Sequence, residues 1–92
     1  MKISTYGFFG VLASKTRFSI VRALMKGELS VKEICAKVRC EQTNVSHQLK
    51  VLERYGVVFY KRDGKKKLYA VNEEVKPIIK QAQRFIRKNC KK

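Results

Sequence analysis

Gln42, Thr43, Asn44 and His47 put two amides, a hydroxyl and an imidazole within one short stretch of the chain. Amides pair bidentately with adenine, and hydroxyl and imidazole groups reach base edges, so this stretch carries the chemistry of reading a DNA groove. Ser46 and Lys50 stand among them and suit phosphate oxygens. A second group lies downstream, where Arg62, Lys65, Lys66 and Lys67 are relieved only by Asp63. A charge run of this kind usually just stays wet. Beside a groove-reading helix it clamps phosphate or enters the minor groove.

Other chemistries find fewer parts. His47 is the only histidine, no carboxylate nearer than Glu53 is usefully spaced from it, and no Ser or Cys is arranged for nucleophilic work. An enzyme is not expected. The three cysteines, Cys35, Cys40 and Cys90, form no CxxC pair, so neither a disulfide framework nor a zinc ribbon is indicated. Cys35 and Cys40 read as packing residues, with a thiol sensor for oxidants or soft metals as the open alternative. A disulfide between them would require the helix to end before Cys40.

The elements that must hold these groups follow from periodicity. Tyr6 to Leu12 is nearly all apolar, and after Ala13-Ser14-Lys15 the positions Phe18, Val21, Leu24 and Met25 continue a helical stripe that Gly27 stops. A third helix opens at Ser30, with Glu33 placed for a capping box and Val31, Ile34 and Val38 on its inner face. In the fourth, Val45, Leu49 and Leu52 form the core face, and Asn44, His47, Lys50 and Arg54 lie opposite. Residues 57–62 are rich in β-branched and aromatic side chains, Asp63-Gly64 signals a hairpin turn, and the strand returns through Leu68 to Val71. A last helix from Asn72-Glu73-Glu74 to about Asn89 keeps Pro77 in its first turn.

The order is therefore α-α-α-α-β-β-α, a mainly α chain with a β-hairpin. Two helices joined by a short turn and followed by a basic hairpin make a winged helix-turn-helix. Residues 30–55 are the helix-turn-helix, 57–71 the wing, and 3–13 and 74–89 pairing helices, within one unit spanning 1–92. The chain is too short for a second core. Its apolar share of 45% is ample for one. Lys and Arg number 22 against 7 acids, a net +15 that calls for a polyanionic partner, nucleic acid before membrane. The start MKISTYGFFG lacks the apolar stretch and cleavage site of a secretory signal, and no run is long enough to cross a bilayer. A cytoplasmic, nucleoid-associated protein without a membrane partner is expected.

Three stretches also carry a likeness: Leu12 to Val21, Gly27 to Val31, and Thr43 to Leu52, which contains Val-Ser-His-Gln-Leu-Lys-Val-Leu. With Tyr55-Gly56-Val57-Val58 and Leu68-Tyr69, the chain from about Phe9 to Val71 resembles the ArsR-type winged-helix repressors. That resemblance implies a homodimeric transcriptional repressor on an inverted-repeat operator, paired through its first and last helices, with the fourth helix in the major groove. Unpartnered apolar side chains support pairing independently, and Tyr6, Phe9, Val75, Ile79, Ala82 and Ile86 are the expected interface. A general DNA-coating protein is the rival reading, favoured by the charge.

The family's metal sites do not carry over. Ser30 and Lys32 stand where many relatives have metal-binding cysteines, and the last helix has neither His nor Asp. No metal, cofactor or small-molecule substrate is indicated. The turn Val38-Arg39-Cys40 lacks the Gly often found there, and Glu41 occupies the place of a capping Ser or Thr.

Overall fold

A computed structural model of the chain describes residues 2–90, so Met1, Lys91 and Lys92 of the expected 1–92 unit lie outside the described residues. The elements run α1 (Thr5–Leu12), α2 (Lys15–Leu24), β1 (Leu29–Ser30), α3 (Val31–Val38), α4 (Gln42–Arg54), β2 (Val58–Asp63), β3 (Lys66–Val71) and α5 (Val75–Asn89). This is a winged helix-turn-helix, with one element more than the sequence order. The short β1 pairs antiparallel with β3, Leu29 opposite Tyr69 and Ser30 opposite Leu68, giving a sheet ordered β1-β3-β2. Such a strand has no signal of its own, because its partner lies far along the chain.

Local chemistry sets most boundaries. The Ser14 hydroxyl accepts from the Arg17 N–H at 3.3 Å and starts α2. That helix stops at Leu24, ahead of Gly27, which takes a positive φ of 146° in the link to β1. Ser30 closes the first turn of α3 by a complete capping box, its hydroxyl accepting from Glu33 N–H at 3.2 Å and its own N–H donating to the Glu33 carboxylate at 2.8 Å. The end of α4 is a Schellman motif: Gly56, at φ 74°, donates to Glu53, and Val57 donates back to Leu52.

The core is a single cluster in which Ile20, Val21, Ile34, Val45, Leu49, Leu52 and Val57 are fully buried. Each such side chain contributes roughly 1.5–3 kcal/mol relative to exposure. Asn72 fastens the base of the wing to the end of α4, donating from its backbone to Val57 at 2.9 Å and from its side chain to Gly56 at 3.1 Å. Its side-chain oxygen also accepts from Glu74 N–H at 3.0 Å, so α5 itself begins at Val75, slightly later than its polar lead-in suggests.

One expectation about the pairing surface is corrected here. Val75 and Ile79 face inward and are only 6% and 3% exposed, so they complete this chain's own core and are not open to a second copy. Tyr6, Phe9, Ala82 and Ile86 do reach solvent, joined by Ile78 and Phe85, which the expected interface did not include.

Candidate nucleic-acid interface

The inner face of α4 consists of Val45, Leu49 and Leu52, buried completely, which holds the opposite side of the helix outward. There Gln42, Thr43, Ser46, His47 and Lys50 line one shallow surface hollow. An amide and a hydroxyl, then a hydroxyl and an imidazole, then a cation thus converge as their spacing requires, about one helical turn apart along the exposed side.

Asn44 lies off this hollow and is engaged elsewhere. Its side-chain oxygen accepts from Gln48 Nε2 at 3.2 Å, Gln48 Oε1 accepts from Arg17 at 2.8 Å, and Arg17 Nε donates to the Val11 carbonyl at 2.8 Å. The chain of bonds ties α1, α2 and α4 together. Sequence reading passed over Arg17 and Gln48, because they stand 31 positions apart and only the folded packing joins them.

The turn into α4 departs from expectation in an informative way. Arg39 adopts the left-handed conformation, φ 58° and ψ 46°, that Gly supplies elsewhere, so the turn keeps its shape without its usual residue. Glu41 makes no side-chain capping bond, leaving the first amides of α4 without a partner from that residue. Cys35 and Cys40 are half-buried free thiols packed against the core, and Cys40 Sγ donates to the Val38 carbonyl at 3.6 Å.

The wing is a two-residue-loop hairpin whose turn lies one position beyond the Asp63-Gly64 reading: Asp63 pairs with Lys66, and Gly64, at φ 66°, begins the loop. Arg62 faces Lys67 directly across the strands. Like charges so placed repel unless an anion intervenes. Lys67 is partly restrained, its Nζ lying 4.4 Å above the Tyr60 ring, which in turn packs on Tyr69 with centroids 5.4 Å apart. Arg62, Lys65 and Lys66 stay exposed. Lys61, by contrast, is matched to Glu28 at 3.1 Å and adds little net charge.

Lys32, at the start of α3, lines a hollow shared with Arg62, Lys65, Lys66 and Lys67. It extends the cationic surface from the wing toward the helix-turn-helix, an arrangement set by the pairing of β1 with β3. Glu33 beside it has its carboxyl held below the usual range by hydrogen bonds from Ser30, backbone first, with smaller help from Lys66 and Lys37.

Among the described residues no group of three or more His, Cys, Asp or Glu is close enough to hold an ion. No described helix is long and apolar enough to cross a membrane.

Comparison with known proteins supplies the lineage. Residues 14–60 match the family model described as bacterial regulatory protein, arsR family. A transcriptional repressor SmtB homolog from Synechocystis sp. is 34% identical over 64 residues, covering 70% of this chain and 48% of the relative. The crystal structure of Rv0081 from Mycobacterium tuberculosis superposes with TM-score 0.85 at 32% identity, covering 90% of this chain and 85% of that one. The solution structure of the homodimeric winged helix-turn-helix DNA-binding domain of Mb0332 from Mycobacterium bovis matches with TM-score 0.77 at 28% identity, covering 82% and 70%. The chain spans about half the length of the curated relatives it matches, 48% and 57% for two of them. The matched segment builds α2 through the first half of β2 and so carries the whole hollow on α4, and on these grounds the chain belongs to the arsR family of bacterial regulatory proteins.

Proposed function

We propose that the protein is a homodimeric, sequence-specific DNA-binding transcriptional repressor. The observation that carries this is the hollow on α4, where Gln42, Thr43, Ser46, His47 and Lys50 converge beside a cationic wing. Gln42, Thr43 and His47 contact base edges in the major groove, with Asn44 contributing through its amide nitrogen while its oxygen stays with Gln48. Ser46, Lys50, Arg62, Lys65, Lys66 and, more weakly because of its stacking on Tyr60, Lys67 contact phosphates.

Pairing uses the exposed apolar face of α1 and α5, where Phe9, Ile78, Ala82, Phe85 and Ile86 line a groove. Phe85 and Ile86 are 60% and 55% exposed, too much apolar surface for α5 to leave in water. A two-fold pair places two copies of α4 on half-sites one helical turn apart, which predicts an inverted repeat. The homodimeric state of Mb0332 supports this arrangement. The repressor sense follows the SmtB homolog.

The net charge of +15 favours the rival role, a DNA-coating protein without sequence preference. Selection of bound fragments from a random-sequence duplex pool separates the two. Enrichment of a shared inverted repeat, and lowered output from a promoter containing it, is the expected result. A bound pool no different from the input overturns sequence-specific recognition in favour of coating.

A further inference from the structure

Helix α5 carries five cations, Lys76, Lys80, Arg84, Arg87 and Lys88, and no acid. Lys76 is paired with Glu73 at 3.0 Å. The other four are exposed, and none has an ion-pair partner within 4.0 Å among the described residues. At 3.6 residues per turn Lys80, Arg84, Arg87 and Lys88 fall within an arc of roughly 100°. Ile79, Ala82 and Ile86 occupy the far side of the same helix. Lys80 with Arg84, and Arg84 with Lys88, are like-charged neighbours at i,i+4, an arrangement that weakens an isolated helix and is relieved by an anion lying along it. From Lys80 to Arg84 to Lys88 each step rises about 6 Å along the axis, so the cations form a row about 12 Å long.

We infer that this face of α5 is a second, sequence-independent binding surface for the phosphate backbone of double-stranded DNA, separate from α4 and the wing. The identity of the anion rests on the DNA-binding role proposed above. A membrane surface fits less well, because an interfacial helix binds with its apolar side down, and the exposed apolar side of α5, Ile78, Phe85 and Ile86, is the one given above to pairing with a second copy. Between Lys80 and Lys88 the cationic arc contains no aromatic or aliphatic residue to insert among lipids.

The test compares four full-length proteins: the parent, a stripe variant (Lys80→Gln, Arg84→Gln, Arg87→Gln, Lys88→Gln), the same four positions all as Lys, and a groove variant (Gln42→Ala, His47→Ala). Gln keeps the helix propensity of the residues it replaces. Circular dichroism and light scattering check fold and assembly. Affinity for a selected duplex and an unrelated one is measured against salt concentration. The stripe variant should bind both duplexes more weakly by the same factor, with a salt slope shallower by about 0.9 for each phosphate that is no longer neutralised. The all-Lys protein should restore the slope. An unchanged slope in the stripe variant, or a loss confined to the selected duplex, overturns the inference. So does binding of the parent to phosphatidylserine vesicles that the stripe variant loses while its DNA affinity stays intact. The groove variant reports separately: if it keeps the parent's preference between duplexes, the reading of α4 fails while the stripe result stands on its own slope.

Discussion

Helices α4 and α5 are both amphipathic, yet the fold treats their apolar faces differently. Along α4, Val45, Leu49 and Leu52 are all 0% exposed, whereas α5 buries Val75 and Ile79 and leaves Ile78, Phe85 and Ile86 at 41%, 60% and 55%. The cause is supply of neighbours. Helices α2 and α3 and strand β2 surround α4, but α5 leaves the core after its second turn, and every residue from 81 to 90 is exposed. An apolar stripe therefore tells where contact is needed, and only the three-dimensional packing tells whether the contact lies within the chain or beyond it.

Two substitutions on α5 break this comparison most directly. Ile79→Ala should destabilise the folded chain by about 2–5 kcal/mol, as removal of a buried aliphatic side chain does. Ile86→Glu should leave the fold intact and abolish pairing instead. Thermal unfolding and light scattering read the two outcomes. If Ile86→Glu lowers the melting temperature of dilute monomer as much as Ile79→Ala does, α5 is packed uniformly and the contrast is false.

On α4 the exposed side is the one under test. Gln42→Ala should cost on the order of 1–3 kcal/mol on a preferred duplex and little on a random one, with thermal stability within about 0.5 kcal/mol of the parent. Lys66→Ala on the wing should weaken both duplexes alike and flatten the salt dependence. Titration of each variant against both duplexes decides it. Equal losses from Gln42→Ala on both would mean that α4 supplies only charge and shape.

Much of this is legible in the sequence, for local reasons. Ser30 with Glu33, Gly56 after Arg54, and Asp63-Gly64 are punctuation written within a few residues of the boundary they set, so the helices, the wing and the outward set Gln42, Thr43, Ser46, His47 and Lys50 can be read directly. What escapes depends on distance along the chain. Strand β1 exists because Leu29 meets Tyr69, and the Gln48 amide is engaged because Arg17 reaches it from α2. Period alone assigns Val75 and Ile79 to the same surface as Ile86, since all three share one helical face and differ only in how far along it the core extends. The stacking of Lys67 on Tyr60 needs the strand register, which a one-residue shift of the turn displaces.

The joint between α3 and α4 allows a smaller effect to be measured. Arg39 holds a left-handed conformation, φ 58°, that costs a non-glycine residue roughly 1–2 kcal/mol, offset in part by the greater chain entropy Gly would lose on folding. Arg39→Gly should therefore raise stability by about 0.5–1 kcal/mol in denaturant unfolding. A loss instead would mean that the Arg39 side chain makes a stabilising contribution larger than its backbone cost.

The smallest effect separates the starts of the two helices. Glu33 closes α3 through its charged carboxylate, while Glu41 makes no side-chain bond at the start of α4. The hydrogen bonds of Ser30 hold the Glu33 carboxyl below its ordinary value, so its folded form prefers the ionised state. The sign follows by linkage: the extra stability is fully present above the ordinary glutamate range and is lost as pH falls through the lowered folded value. Glu33→Gln keeps an acceptor for the Ser30 N–H but removes the charge. Melting temperature measured against pH should fall more steeply on the acid side for the parent than for Glu33→Gln, and the two curves should draw together at the acid end. Parallel curves for the parent and Glu33→Gln would show that the capping box acts through its hydrogen bonds alone and that the two helix starts differ in geometry, with no electrostatic contribution from the carboxylate.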